Sequence, residues 1–282
     1  MTSNIILELQ SVTRRFGGLV AVNEFNMAVR SNTIHGLIGP NGAGKSTAFD
    51  LISGLRPVSS GKILLDGKDV TSMSVQQRVR DGICRTFQTP KLFEKMTAHE
   101  VVMTGRHIHG KTGILGSMFS FRSKRQDELQ ISEHAMSLLV RVGLAGDANT
   151  VVSALSYGKR RLVEIARALA TEPRLLLLDE VASGLNPVET ASVADLIKSL
   201  ASEKLTIVVV EHDMPFVMGM CDEVTVLNFG SKIADGKPQE VSSNLMVIEA
   251  YLGQPDAQRA TRRDQRRANA TAAGQFESQG FK

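Results

Sequence analysis

A glycine-rich turn contains the residues whose types and spacing predict chemistry most clearly. Segment 39–47 fits the pattern G-x-x-x-x-G-K-(S/T), in which backbone N–H groups face phosphate oxygens. The glycines allow the backbone to approach the phosphate closely, and the following helix attracts the phosphate with the positive end of its dipole. We predict that Lys45 contacts β- and γ-phosphates and that Ser46 ligates Mg²⁺. The predicted binding residues here are Gly39, Asn41, Gly42, Gly44, Lys45, Ser46 and Thr47.

Two carboxylates after an apolar run provide the second half of this chemistry. Leu175 to Leu178 has the composition of a parallel strand that is buried on both faces, and Asp179 and Glu180 follow it. Ligands of parallel sheets bind at the carboxyl ends of the strands. We expect Asp179 to hold Mg²⁺ through water and Glu180 to act as general base towards water. Because paired acids after a strand are common, this prediction depends on the phosphate-binding turn.

Gln88 and His212 end two further predicted strands. The amide of Gln88 would ligate Mg²⁺ or a water without adding charge, which makes Gln88 a candidate catalytic and metal-binding residue. The imidazole of His212 would donate a hydrogen bond to the γ-phosphate, as a third catalytic candidate. The alternatives are a polar strand terminus for Gln88 and a structural histidine for His212.

The segment Ser156-Tyr157-Gly158 precedes an amphipathic helical pattern and is a candidate anion-binding helix start. The sequence contains no recognisable arginine finger, so the γ-phosphate site must be completed from outside. Ser156 and Gly158 are therefore predicted to bind nucleotide phosphate.

Apolar patterns predict the elements that position these residues. A buried strand is predicted for Ile34 to Ile38, and a helix begins at Lys45. Further predicted strands are Ile5 to Val12 and Val20 to Val29, antiparallel and at an edge, the hairpin Lys62 to Val70, Gly82 to Phe87, Ile207 to Val210, Val224 to Leu227 and Lys232 to Ala234. Further predicted helices are Ser74 to Arg80, one after the capping box Thr97 to Glu100, Arg125 to Val142, one from Asn186, and Val241 to Tyr251. Gly110 to Phe121 is predicted to be an exposed loop.

Composition and charge limit the class of protein. The chain of 282 residues is 42% hydrophobic and 22% charged, as globular proteins are. It has no run of ~18 apolar residues and no signal-peptide pattern, so we expect it to stay in the cytoplasm. Most of the net charge of +4 lies in residues 254–282, which carry six basic and three acidic residues; we expect a disordered tail there and no nucleic-acid groove. Cys84 and Cys221 are predicted to be free thiols.

The order of these motifs resembles the nucleotide-binding subunits of ABC transporters over Ile5 to Leu252. The resemblance implies an α/β fold, the P-loop NTPase ABC cassette, over residues 5–253. That cassette has a parallel-sheet core, an N-terminal antiparallel β subdomain and a small helical subdomain at about residues 92–160. It implies ATP and Mg²⁺ as ligands, and Ser156 to Gly158 as the signature that closes on ATP of the opposite subunit. It also implies that Phe16 stacks on adenine; the alternative is a strand-end aromatic.

Local sequence narrows the resemblance to ATP-binding subunits of branched-chain amino-acid importers. The segments that carry it are Arg14 to Val22, Arg85 to Gln88 with Leu92-Phe93 and Met96-Thr97, and Gly184 to Thr190. Urea and short-chain amide importers share much of this sequence. The implied partners are integral-membrane permease subunits, a second ATP-binding subunit in a homo- or heterodimer and, indirectly, a periplasmic solute-binding protein. The implied location is peripheral, on the cytoplasmic face of the inner membrane.

Four positions differ from the general family pattern. Tyr157 replaces a signature glycine, and Lys159 replaces the usual Gln or Glu. Val181 stands where a proline normally follows the catalytic glutamate, and Asn186 replaces an aspartate. Ser156 and Glu180 are intact, so the resemblance still implies hydrolysis.

Two other classes of function are disfavoured by what the sequence contains. A soluble ABC ATPase acting on nucleic acid or ribosomes usually has two cassettes or a long coiled coil, whereas this chain has one cassette and no long heptad run. A GTP switch protein would carry an Asn-Lys-x-Asp motif, which is absent from the sequence. The transported solute is not specified by these residues.

Overall fold

Ten strands and nine α-helices form within the described residues of the computed structural model, which are 4–86, 93–106 and 121–252. The strands are β1 (Ile5–Phe16), β2 (Leu19–Arg30), β3 (Ile34–Ile38), β4 (Ser60–Leu65), β5 (Lys68–Asp69), β6 (Ile83–Arg85), β7 (Leu175–Asp179), β8 (Thr206–Val210), β9 (Glu223–Asn228) and β10 (Ser231–Gly236). The helices are α1 (Lys45–Ser53), α2 (Val75–Arg80), α3 (Ala98–Arg106), α4 (Phe121–Arg141), α5 (Tyr157–Leu169), α6 (Pro187–Ser202), α7 (Met214–Met218), α8 (Pro238–Ser242) and α9 (Leu245–Leu252).

A six-stranded sheet with the order β10-β9-β3-β8-β7-β6 positions the candidate site. Every pairing in it is parallel except that of β10 with β9. All residues of β3, β7 and β8 are buried, which explains why their sequences are mainly apolar; the polar exceptions are His35, Asp179 and Thr206. The carboxyl ends of these three adjacent strands carry the glycine-rich turn, Asp179 and Glu180, and His212. The predicted parallel-sheet core is confirmed.

A second, antiparallel sheet has the order β2-β1-β4-β5 and forms the predicted N-terminal β subdomain. The hairpin of β4 and β5 turns through Asp66 and Gly67, as predicted. The prediction that both N-terminal strands lie at an edge is wrong for β1. That strand pairs with β2 on one side and β4 on the other, so of the two N-terminal strands only β2 lies at an edge.

Two hydrophobic clusters lie on opposite faces of the parallel sheet. Alternate residues of β7 divide between them, since Leu177 packs towards α1 and the antiparallel sheet while Leu176 packs towards α5 and α6. Phe25 and Phe49 are fully buried in the first cluster and Ile197 in the second. The sheet is therefore covered on both faces, and its carboxyl ends are held between two packed layers.

Helices α3 and α4 pack together within the range of the predicted helical insertion, and both contact α5. Thr97 and Glu100 form the predicted capping box ahead of α3, with bonds of 2.8 Å from Thr97 N–H to Glu100 Oε2 and 3.2 Å from Glu100 N–H to Thr97 Oγ1. Helix α3 approaches α5 closely at Gly105, where a Cβ atom would lie 2.2 Å from the carbonyl oxygen of Arg167. This close packing couples the insertion to the helix that begins at Ser156.

Two element predictions need correction. The single helix predicted over Val241 to Tyr251 is two helices, because α8 ends at Ser242 and Asn244 accepts a hydrogen bond from Met246 N–H at the start of α9. Of the strand predicted over Gly82 to Phe87, β6 alone is a strand among the described residues 82–86, although Thr86 N–H still bonds to Leu177 O at 2.9 Å; Phe87 lies outside the described residues.

Several predictions fall wholly or partly outside the described residues: Gln88, the loop Gly110 to Phe121, and the tail 254–282. Within the described ranges, no helix combines the length and apolar character needed to cross a membrane. Cys84 and Cys221 are buried and free, as predicted.

Candidate nucleotide-binding site

The glycine-rich turn between β3 and α1 is pressed against the two sheets. A Cβ atom on Gly39, whose φ is +152°, would lie 2.1 Å from the carbonyl oxygen of Leu227 in β9. A Cβ on Gly44, whose φ is +103°, would lie 2.5 Å from the carbonyl oxygen of Ala21 in β2. Both positions therefore require glycine, to seat the turn as well as to free its backbone.

Lys45 is the buried cation of the turn. Its Nζ donates hydrogen bonds to the carbonyl oxygens of Gly39 at 2.6 Å and Pro40 at 3.0 Å. Burial lowers the pKa of Lys45, and the negative charges of Glu180 and Asp179 oppose that change. The ammonium group thus lies on the face of the turn that the two carboxylates also reach.

A cleft of about 590 Å³ opens beside the turn. Glu180 lines it together with residues of β2 and of the β9–β10 turn. Of the residues predicted to bind nucleotide, the cleft contains Phe16, Asn41, Gly42, Gly44, Lys45, Ser46 and Thr47. Gly39, Ser156 and Gly158 are not among the described residues that line it.

Two aromatic side chains lie at this cleft. Phe16, at the end of β1, has the guanidinium carbons of Arg14 and Arg56 at 4.6 and 5.2 Å from its ring centroid. Phe229 is 82% exposed and lines the same cleft. Phe229 lies between β9 and β10 and was not predicted as a site residue; an aromatic residue between two predicted strands was the available signal.

Asp179 is buried at the end of β7 and is held by Arg85 of β6. Arg85 Nη2 donates to Asp179 Oδ2 at 2.7 Å, and Arg85 Nη1 donates to Asp50 of α1 at 2.7 Å. Burial raises the pKa of Asp179, while the bond and charge of Arg85 act in the opposite direction. Arg85 therefore joins the helix after the turn to the predicted metal-binding carboxylate, a role that sequence analysis did not detect.

Ser46 and Asp179 fit Mg²⁺ chemically. A hydroxyl and a carboxylate are hard oxygen donors, and Mg²⁺ is usually bound by one or two carboxylates plus substrate phosphates. The described residues contain no cluster of three His, Cys, Asp or Glu side chains that would hold a metal without phosphate. This donor set therefore suits a metal that arrives with nucleotide.

Glu180 has an unusual backbone conformation, with φ +47°. Its N–H donates to Val210 O at 2.9 Å, and its carbonyl oxygen accepts from Ser183 N–H at 3.2 Å and from Arg161 Nη2 at 3.2 Å. Val181, where proline was expected, is buried in the hydrophobic core. These contacts fix the backbone around Glu180 without a proline.

His212 follows β8 and is not among the described residues that line the cleft. Its side chain is 59% exposed, and Nδ1 lies 4.0 Å from Glu211 Oε2. Glu211 is buried instead, and its Oε1 accepts a hydrogen bond from Ala182 N–H at 2.8 Å. Burial raises the pKa of Glu211. Glu211 thus ties the loop after β8 to the loop after Glu180.

Ser156 and Gly158 lie at the start of α5. Ser156 caps the helix, since its Oγ accepts from Lys159 N–H at 3.3 Å. Gly158 is buried against α6, where a Cβ atom would lie 2.6 Å from Glu189 Oε1. The start of α5 is therefore capped by Ser156, and neither Ser156 nor Gly158 is among the described residues that line the cleft.

Comparisons with known proteins agree with this geometry. The sequence profile of the ABC transporter family matches residues 22–183, and that of the branched-chain amino acid ATP-binding cassette transporter matches residues 231–257. The high-affinity branched-chain amino acid transport ATP-binding protein BraF of Pseudomonas aeruginosa is 42% identical, over 89% of this chain and 99% of its own. LivG of Escherichia coli, named for the same function, is 40% identical with the same coverage. The ADP conformation of MJ1267, an ATP-binding cassette of an ABC transporter, is similar with a TM-score of 0.78 and 28% identity, over 89% of this chain and 99% of that one. The chain belongs to the ABC transporter family.

Proposed function

We propose that this chain is the ATP-hydrolysing subunit that powers import of branched-chain amino acids through an ABC transporter. The observation that carries the ATPase role is the cleft in which Lys45 and Glu180 face the same space. The solute class is supported by the names of BraF and LivG, which the chain matches over nearly their whole length. Urea or short-chain amides remain the alternative cargo that the experiments below distinguish.

Each part of the cleft has a role in binding ATP. The N–H groups of the turn and the ammonium of Lys45 hold the β- and γ-phosphates, and Phe16 stacks on adenine. Ser46 and Asp179 hold Mg²⁺, which neutralises phosphate charge when it is bound. Gln88 is assigned as a further ligand of the metal or the attacking water.

Hydrolysis then follows from the position of Glu180. Its carboxylate accepts a proton from a water whose oxygen attacks the γ-phosphorus, and the bond to the β-phosphate oxygen breaks to release ADP and phosphate. His212 is assigned as a hydrogen-bond donor to the γ-phosphate. Its side chain is exposed at the end of β8, where a ligand can reach it.

A second ATP-binding subunit completes the site. Among the described residues that line the cleft, Lys45 is the only cationic side chain, and none comes from α5. The capped start of α5, with Ser156 and Gly158, would supply its N–H groups to ATP held by the other subunit. Closure of two subunits on ATP, and their release after hydrolysis, would drive the permease subunits through the region of Gln88 and the helical insertion. The chain would work peripherally, on the cytoplasmic face of the inner membrane.

Replacing Glu180 with Gln tests this mechanism. An amide cannot take the proton, so we expect ATP binding within about twofold of wild type and hydrolysis reduced by at least ~100-fold. The ATP-bound variant should form a stable dimer, measured by size-exclusion chromatography with light scattering beside its partner subunits. Glu249→Gln, an exposed glutamate on α9, is the matched control and should keep wild-type turnover.

The same variant tests the cargo. Cells lacking the chain should recover uptake of labelled leucine with wild type and not with Glu180→Gln. Recovery of labelled urea uptake instead would assign the alternative cargo. Co-purification with RNA or DNA rather than with membrane subunits, or wild-type turnover in Glu180→Gln, would contradict the proposed function.

A further inference from the structure

Tyr157, the residue that departs from the family's signature glycine, packs on the loop that follows the catalytic strand. A Cβ atom on Gly184 would lie 3.2 Å from Cε1 of Tyr157, so the ring covers that glycine closely. The hydroxyl of Tyr157 accepts a hydrogen bond from Arg161 Nη2 at 3.0 Å. The start of α5 therefore contacts its own chain's catalytic loop through a side chain that glycine would not provide.

Arg161, one turn further along α5, reaches the backbone of Glu180 itself. Its Nη2 also donates to the carbonyl oxygen of Glu180 at 3.2 Å, and its guanidinium lies 5.4 Å from the ring centroid of Tyr157. Arg161 is only 1% exposed, and Glu164, equally buried, balances its charge at 3.3 Å. A buried guanidinium with defined partners has a fixed orientation, so its bond to Glu180 is ordered.

The backbone of Glu180 requires such support. A non-glycine residue at φ +47° is strained and persists only where its surroundings hold it. The conformation at Glu180 also sets the direction of its Cα–Cβ bond, and hence the place of the carboxylate in the cleft. A hydrogen bond to its carbonyl oxygen is therefore a means of placing the reacting group.

We infer that Arg161 and Tyr157 are positioning residues that hold Glu180 in its catalytic orientation. This inference rests on the proposed role of Glu180 as general base. The two residues would link, within one chain, the start of α5, which would contact ATP on the second subunit, and Glu180, which would act on the chain's own ATP. Because Tyr157 lies between Ser156 and Gly158, a shift of the start of α5 against ATP on the second subunit would be transmitted to Glu180 at the chain's own ATP.

Two conservative substitutions test the inference. Arg161→Lys keeps a cation beside Glu164 but loses the planar fork that bonds Tyr157 and Glu180 together, so we expect kcat for ATP hydrolysis to fall about tenfold. Tyr157→Phe keeps the ring on Gly184 and removes only the hydroxyl, so we expect a loss of about threefold. In both variants KM for ATP should stay within about twofold of wild type.

Arg160→Lys is the matched control on the same helix. The side chain of Arg160 donates hydrogen bonds to the carbonyl oxygens of Leu155 and Ser153, at 3.0 and 2.7 Å. Replacing it with lysine should leave kcat unchanged. Wild-type kcat in both Arg161→Lys and Tyr157→Phe would overturn the inference, as would losses matched by equal falls in ATP affinity or thermal stability. Wild-type protein that does not hydrolyse ATP beside its partner subunits would instead overturn the proposed function.

Discussion

At the scale of single residues, Lys45 is the clearest case in which local contacts hold a side chain ready for its proposed ligand. Its ammonium group bonds two carbonyl oxygens of its own turn, so it is held at the cleft before nucleotide arrives. In the proposed mechanism, its long side chain would therefore lose little further freedom on binding phosphate.

Lys45→Ala should lower the affinity for ATP by about tenfold to 100-fold, because one charge-assisted hydrogen bond contributes roughly 1.5–3 kcal/mol. Isothermal titration with ATP and Mg²⁺ measures this loss. Lys62→Ala, an exposed lysine on β4, is the control and should bind as wild type does. Equal affinities in the two variants would refute the assignment of the turn.

The sequence predicted the residues that belong to a contiguous motif, and missed those that act across the fold. Lys45, Ser46 and Glu180 follow fixed spacings. Arg85 and Arg161 do not, because their partners lie on other strands and loops, and an arginine in a strand or helix normally indicates an exposed position. Their burial depends on three-dimensional pairing.

At the scale of elements, the turn between β3 and α1 is shaped by the strands behind it. Gly39→Ala would force a methyl group onto the Leu227 carbonyl, at a strained φ. We expect a loss of at least ~3 kcal/mol in the free energy of unfolding, measured by urea denaturation.

Gly42→Ala provides the comparison. Gly42 also has positive φ, at +79°, but its added Cβ would meet no atom within 4 Å. We expect only the conformational cost, about 1 kcal/mol. Losses of the same size at both glycines would show that contact with β9 does not constrain the turn.

The type of an element, helix or strand, was predictable where the period of its apolar pattern and the length of the segment indicated the same type. The buried strands β3, β7 and β8 are recognisable because parallel strands covered on both faces have mainly apolar sequences without a regular polar alternation. The break between α8 and α9 was not predicted, because the short polar segment between them could equally lie on the exposed face of one continuous helix. Only the capping bond at Asn244 distinguishes the two arrangements.

At the scale of the whole molecule, a buried histidine makes stability depend on pH. His35 of β3 is almost fully buried, and burial lowers its pKa to about 4. Asp235 opposes this change, whereas Arg30 and Lys232 add to it; Glu223 lies 4.0 Å from Nδ1. Between about pH 6.5 and 4 the unfolded chain binds a proton at this residue and the folded chain does not, so stability falls as pH falls.

His35→Gln removes this contribution. The difference in unfolding free energy between wild type and variant should shrink by about 3 kcal/mol from pH 7 to pH 4, since raised pKa values at groups such as Glu211 affect both proteins alike. Urea denaturation at several pH values measures it. His99→Gln, on α3, is the control and should keep the wild-type slope. Parallel curves for wild type and His35→Gln would contradict the prediction.

The class of the whole molecule was predicted correctly from the sequence, whereas the placing of the two proposed halves of its chemistry on different subunits came only from the family resemblance. Ser156 and Glu180 are close in sequence, yet the first caps α5 and the second lines the cleft. Their separation within one chain depends on how α5 packs against β7 and α6, which sequence patterns do not specify. It is this separation that makes a second chain necessary in the proposed mechanism.

The seating of the glycine-rich turn between two sheets has an energetic consequence for assembly. A phosphate loop that became ordered only around its ligand would use part of the ligand's intrinsic binding energy to restrict its own motion. In this protein the carbonyl groups of Leu227 and Ala21 already constrain the conformation of the glycine-rich turn. More of the attraction between protein and triphosphate is then left to bring a second chain onto the first.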